Sequence, residues 1–328
     1  MEKDALGCWK GLLLPSPRDA RLDSEAAAIC ALLARPGDCP DVDEELVKAV
    51  LGASHVLSDS DLRRIAEEVS ATDPRKVLLR LEAAVERMKS HPAGQSPQLV
   101  LILDKHLQRL PWESMPSLRA LCVSRLPSFH FLLGYVVTKK HQVRSVLAEG
   151  VNPSSVYYVL NPQGNLPNTE RTFKDWFRRR PGWEGVVGRG PSEEKLRSVL
   201  CNRDLYLYAG HGAGVRFLEG QEVQKLSCRA ASLLLGCSSA ALVLRGDLEG
   251  VGIVLKYMMA GCPLFLGNLW DVTDKDIDRY MENLLRGWLD AGSEASLLEY
   301  VAHARTAPKL KYLIGASPVV YGLSISLQ

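Results

Sequence analysis

Two short loops hold the residue types best suited to chemistry. Tyr208-Ala-Gly-His-Gly-Ala-Gly214 sets His211 among Gly210, Gly212 and Gly214, and Gly236-Cys-Ser-Ser239 sets Cys237 directly behind a glycine. An imidazole titrates near neutral pH, and a thiolate is a strong nucleophile. Within reach of each other they form a dyad. The imidazole takes the thiol proton and the thiolate attacks a carbonyl carbon. Backbone N–H groups of the glycine loop and of the cysteine itself can hold the tetrahedral oxyanion. Each residue also has a plainer use: a loop histidine making one hydrogen bond, and a cysteine packed as a small hydrophobe at a strand end. A phosphate cradle is a weaker rival, because Gly-His-Gly-Ala-Gly lacks the P-loop lysine and the GxGxxG spacing.

A third segment, Trp270-Asp-Val-Thr-Asp-Lys-Asp-Ile-Asp278, puts four carboxylates into eight residues. Thr273 and Asp276 have the cap–x–x–acid spacing of a helix start, where acids are stabilised by roughly 0.3–1 kcal/mol. Asp274 and Asp276 fit that role. Asp271, still at a strand end, and Asp278, one turn further in on the side of Asp274, are better placed to face a cleft. A partly buried carboxylate there would hold a planar guanidinium bidentately in preference to a compact ammonium. Asp104 and Trp112 follow an earlier strand. Asp104 could orient His211, bind a cationic substrate, or cap its own loop. Trp112, with Glu113, could line a cleft or pack as a corner whose indole N–H finds a partner.

The elements that must position these groups change character near residue 95. Before it the periodicity is helical. Asp41–Leu51 runs into Gly52, a capped helix starts at Ser58, and Asp73-Pro74 opens another helix running to about Lys89. The stretch His91–Pro97 has linker composition. Beyond it, short apolar runs at Leu99–Leu103, Val156–Leu160, Leu205–Ala209, Ala231–Leu235 and Pro263–Leu269 read as strands. Between them Ser128–Leu147, Thr169–Arg179, Ser192–Cys201, Glu249–Ala260, Thr273–Asp290 and Glu294–Thr306 read as helices. This alternation predicts an α/β fold, a mostly parallel sheet with helices on both faces, preceded by a helical segment: residues 1–95, then 96–328. In such a sheet, reactive loops gather beyond the carboxyl ends of the strands. His211 and Cys237 then meet if their strands, about 4.8 Å apart, are neighbours.

Composition narrows the function. The 328 residues are 46% apolar and 24% charged, the balance of an ordinary globular chain. A net charge of +2 gives no footprint of a dedicated nucleic-acid binder, and the basic knots Arg178–Arg180 and Lys139–His141 read as solvated surface. No stretch reaches the roughly 18 apolar residues of a membrane span, and the mixed charge of Met1–Asp4 does not suit a signal peptide. The eight cysteines form no CxxC pair and no ligand spacing with histidine, so they read as reduced thiols, and neither a metal nor a cofactor is expected. Cys262, just before a strand start, reads as structural.

The two loops, the segment Ala260–Asp278, the stretch Leu101–Pro116 and the carboxyl end Lys311–Leu323 together resemble the protease domain of separases, most closely the vertebrate form. The resemblance covers nearly everything from about Leu99 and extends more loosely to Ala5–Pro15. It implies a caspase-like fold and a cysteine endopeptidase that opens cohesin at anaphase. It places the general base on His211, the nucleophile on Cys237 and the oxyanion donors on the N–H groups of Gly212 and Cys237. Cleavage after Arg in an acidic-x-x-Arg context, in the kleisin subunit of cohesin, follows from the same resemblance. So do securin as a pseudosubstrate inhibitor, a cyclin B–kinase complex as a possible partner, and a location in cytoplasm and nucleus, at spindle, centrosome and chromosomes. Separases are much longer, with a large helical-repeat region before the protease. A catalytically silent peptide-binding module, or a truncated fragment without function, is the alternative.

Overall fold

The computed structural model describes residues 20–33, 47–48, 50–51, 57–69, 73–90, 98–141, 145–246, 249–292 and 295–328. Cys8, Cys39, the segment Ala5–Pro15, the start of the helix expected at Asp41 and the linker 91–97 lie outside them. The chain divides into two compact units between Pro97 and Gln98.

The first unit is helical, with helices Ala20–Leu33, Asp59–Val69 and Pro74–Ser90. Two of its helix starts are written in the sequence. The Asp61 N–H donates to Ser58 Oγ while the Ser58 N–H donates to Asp61 Oδ2, a reciprocal cap. Asp73 accepts the N–H of Lys76 ahead of Pro74. Ile29, Leu62, Ile65, Val77, Leu81 and Val85 build this unit's own small core.

The second unit is an eight-stranded sheet. Its strands are β1 (Gln98–Leu101), β2 (Cys122–Arg125), β3 (Val156–Leu160), β4 (Glu184–Val187), β5 (Leu205–Ala209), β6 (Ala231–Leu234), β7 (Leu264–Asn268) and β8 (Pro318–Gly322). Their spatial order is β1-β2-β8-β7-β6-β5-β3-β4. From β7 through β6, β5 and β3 to β4 all neighbours are parallel, and β8 runs antiparallel to β7. Strands β3, β5, β6 and β7 are buried at every residue, which is why they read as unbroken apolar runs rather than alternating ones. The α/β class with a mostly parallel sheet is as expected. The candidate helix Ser128–Leu147 resolves into Phe129–His141 and the single turn Val146–Glu149. Among the described residues no helix is long and apolar enough to cross a membrane.

The winding places the site. The chain leaves β3 through helix Pro167–Arg179 to the edge strand β4, returns through helix Glu193–Asn202 to β5 on the other side of β3, and then steps on to β6 and β7. Right-handed crossovers therefore put the connections on opposite faces. The direction of winding reverses between β3 and β5. At such a switch point the loops diverge and leave a crevice beyond the carboxyl ends of the strands.

Candidate active site

The loops after β3, β5, β6 and β7 meet at that edge. β5 and β6 are adjacent and parallel, with Tyr208 opposite Leu234, so His211 and Cys237 leave the sheet side by side. Both line one open groove of about 350 Å³, together with Leu166, Thr169, Val272 and Asp278. His211 is exposed and Cys237 half-buried.

Close backbone contact builds the pairing. A Cβ on Gly236 would lie 1.9 Å from the Gly212 carbonyl oxygen and 2.5 Å from that of Gly210. Only glycine lets the cysteine loop press against the histidine loop. The histidine loop is held from inside by the Tyr208 hydroxyl, which donates to the His211 carbonyl at 2.8 Å, and it turns at Gly212 with φ +60°. The cysteine loop is held by Asn268 of β7, whose Nδ2 donates to the Gly236 carbonyl at 3.0 Å, and by Ser239, whose Oγ accepts the Asn268 N–H at 2.9 Å. Ser238, the residue after the thiol, has φ +50°. It is one of only two non-glycine residues in the left-handed region among those described; the other is Asn161, φ +49°, directly after β3. Both strained residues flank this groove, and such strain persists only where the surroundings over-determine it.

The thiol and the imidazole share the groove but are not hydrogen-bonded to each other. Cys237 Sγ donates to the Val272 carbonyl at 3.4 Å, and His211 Nε2 lies 3.1 Å from Asn165 Oδ1. Among the described residues, neither the Gly212 nor the Cys237 backbone N–H has an acceptor.

The acidic candidates separate clearly. Asp278 lines the groove and is 8% exposed. Among the described residues its carboxylate has one hydrogen bond, from the Thr169 hydroxyl, 2.9 Å from Oδ2. Burial raises its pKa to about 7, with Asp274 and Glu282 adding like-charge repulsion and the Thr169 bond opposing them. Asp271 is exposed and outside the groove lining. It accepts from Ser238 Oγ at 2.6 Å and so braces the cysteine loop. Thr273 is the N-cap of helix Asp274–Leu289, but its side chain makes no capping bond. The expected box fails because the Asp276 carboxylate is taken elsewhere: it accepts the N–H groups of Lys309 (2.9 Å) and Leu310 (3.4 Å) and pairs with Arg279.

Two candidates are displaced from the groove. Asp104 follows β1, which stands five strands away from β5, about 24 Å at 4.8 Å per strand. It cannot orient His211, and it caps its own turn by accepting the His106 N–H at 2.9 Å. Trp112 packs as a corner, its indole N–H donating to the Leu107 carbonyl at 2.9 Å. Next to it Glu113, 2% exposed, binds the buried Arg125 of β2 through both carboxylate oxygens, at 2.6 and 2.7 Å. Cys262 is fully buried, its Sγ 3.3 Å from the Ala230 carbonyl, as a structural cysteine should be. Asn268, Thr169 and Asn165 join the site without having been singled out in the sequence, and none of them gave a visible local signal; Gly236, read there as the glycine before the cysteine, proves to be the contact between the two loops.

The family described as "Separin, protease domain" matches residues 1–277. The separin of Mus musculus is 54% identical over 329 residues, covering 100% of the chain. That of Saccharomyces cerevisiae is 37% identical, covering 73% of it. The likeness thus reaches further toward the amino end than the motifs alone suggested. The chain spans 15% of the length of the mouse relative and 16% of the yeast one. Among solved structures, the Saccharomyces cerevisiae separase–securin complex at 2.6 Å superposes with TM-score 0.66 at 28% identity, covering 97% of this chain and 24% of that one.

Proposed function

The chain belongs to the separin protease-domain family, and from that premise we propose that it carries a cysteine-type endopeptidase site that cuts after arginine. His211 takes the thiol proton of Cys237, and the thiolate attacks the carbonyl carbon of the scissile bond. The open N–H groups of Gly212 and Cys237 donate to the developing oxyanion. The imidazolium then protonates the departing amine, and water, deprotonated by the same imidazole, releases the acyl group. Asp278, in the lining of the groove, receives the substrate guanidinium, which supplies a positive charge that its described neighbours do not.

The observation that carries this reading is the juxtaposition of an unpaired buried carboxylate with the His211–Cys237 edge in one groove. The kleisin subunit of cohesin, cut in an acidic-x-x-Arg context, is the substrate class that family membership favours. The solved relative is a complex with securin, which supports a securin-like segment lying in this groove uncut. The hydrogen bond from the thiol to Val272 favours the silent-module reading instead.

Cys237→Ser decides between them. The change is nearly isosteric, so the fold and peptide binding should persist while cleavage of an Arg peptide drops to background. A serine variant that cuts as fast as the parent removes Cys237 as nucleophile. A parent that binds the peptide tightly and never cuts it establishes the silent module.

A further inference from the structure

We propose that Asn165 is a positioning residue for His211, the third member of a Cys237–His211–Asn165 relay. This rests on the dyad reading above and adds a residue to it. The Asn165 amide is the side-chain partner of the imidazole, with Oδ1 3.1 Å from Nε2. It comes from the loop after β3, on the other side of the switch point from the cysteine, so the groove holds the ring between two loops.

That loop is built to present it. Asn161, 2% exposed, ends β3 in the left-handed conformation, φ +49°. Its N–H donates to the Ala209 carbonyl at 2.8 Å, which ties the loop to the end of β5 two residues before His211. Its side chain closes the loop on itself: Oδ1 accepts the Leu166 N–H at 2.9 Å and Nδ2 donates to Glu170 Oε2 at 2.9 Å. The Gly164 N–H donates to the Asn161 carbonyl at 3.0 Å. Asn165 is therefore clamped between two anchored neighbours although its own side chain is exposed.

The chemistry follows from the tautomer. With Oδ1 as acceptor, the neutral imidazole carries its proton on Nε2, and Nδ1 is the only ring atom left with a lone pair. The thiol proton passes from Sγ to Nδ1, giving thiolate and imidazolium, and Oδ1 accepts from Nε2–H throughout. The Nδ1 proton later leaves with the amine. Losing this acceptor frees the ring to rotate and to take the wrong tautomer. One hydrogen bond to a charged group corresponds to about a tenfold change in rate.

The test compares Asn165→Ala and Asn165→Asp in the full chain, with Cys237→Ser alongside. Asn165→Ala should lower kcat about tenfold while KM stays within about twofold and Tm is unchanged. Asn165→Asp, which can only accept, should restore most of the lost kcat. An alanine variant with full kcat, a loss confined to KM, or an aspartate variant as slow as alanine each overturns the assignment. Cys237→Ser separates this failure from failure of the dyad. If the serine variant is dead and Asn165→Ala runs at full rate, only the positioning role falls; if the serine variant is active, the dyad falls with it.

Discussion

Glu113 and Asp278 are both buried carboxylates of the second unit, and they are treated in opposite ways. Glu113 meets a guanidinium as buried as itself: Arg125, 1% exposed, donates to both of its oxygens and to the carbonyls of Gln108 and Leu110. Four of the five N–H donors of that fork face an acceptor, close to the condition under which a buried pair offsets its desolvation. Asp278 has one neutral hydroxyl and two acidic neighbours, and its carboxyl is held near pKa 7. The first arrangement is complete and ties the loop after β1 to the sheet. The second has no cation partner among the described residues and lines the groove that holds the thiol. A missing countercharge in a folded protein is a cost to stability, and on the proposed reading the cost serves to receive a substrate guanidinium beside the Cys237 thiol.

The pair at Arg125 should give the largest effect. Arg125→Met leaves Glu113 buried without compensation and should destabilise the second unit by about 3–5 kcal/mol. Arg125→Met with Glu113→Leu should recover most of that in urea unfolding. A single variant as stable as the parent would show that this pair is not a lock, and the contrast with Asp278 would collapse.

Asp278→Asn should act in the opposite direction. The amide still accepts the Thr169 hydroxyl but needs no countercharge, so stability should rise by about 4 kcal/mol at pH 8. The sign depends on pH. The folded carboxyl holds its proton up to about pH 7, whereas the unfolded one releases it near 3.8. The parent therefore loses stability as pH climbs from about 4 to 7 and is level above, and the gain from Asn should shrink toward zero near pH 4. Binding should run the other way. In the Cys237→Ser background, affinity for an Arg peptide should rise up to tenfold per pH unit until about pH 7 and then flatten. Asp278→Asn should abolish both that rise and the preference for Arg over Lys. An unchanged preference would remove Asp278 from recognition.

How far the sequence foretells this depends on what carries each part. β3 and β5 were legible residue for residue, since five consecutive apolar residues ending at a polar or glycine loop leave little choice. β2 was not, because Cys-Val-Ser-Arg contains a buried arginine whose partner sits in another loop. β4 is a half-exposed edge strand that begins Glu-Gly, and β8 is a central strand that opens on proline. Within the site, His211 and Cys237 were visible because glycines mark them. Asp278 was visible only as one of four candidates, since which carboxylate is buried depends on how helix Asp274–Leu289 packs on helix Pro167–Arg179. Asp104 was misplaced because strand order, unlike strand identity, leaves no mark in the local pattern. Asn165 was invisible for a related reason: its partner is 46 residues away and on another strand.

The smallest expected effect tests the third kind of carboxylate. Asp271 is neither locked nor left unpaired; it is an exposed brace, 2.6 Å from the hydroxyl of Ser238. Ser238 holds φ +50° directly after Cys237, a conformation that costs on the order of 1 kcal/mol in a non-glycine residue. The hydrogen bond to Asp271 helps to hold it there, as does its N–H to the Trp270 carbonyl at 3.1 Å. Because the brace is in water, Asp271→Ala should cost less than about 1 kcal/mol of stability. It should lower kcat a few-fold through a looser thiol and leave the Arg-over-Lys ratio untouched. Asp271→Asn keeps the acceptor and should match the parent. Matched Arg, Lys and Gln peptides read the ratio directly. If Asp271→Asn loses the Arg preference while Asp278→Asn keeps it, the guanidinium is read at the rim, and the buried carboxylate of Asp278 needs another explanation.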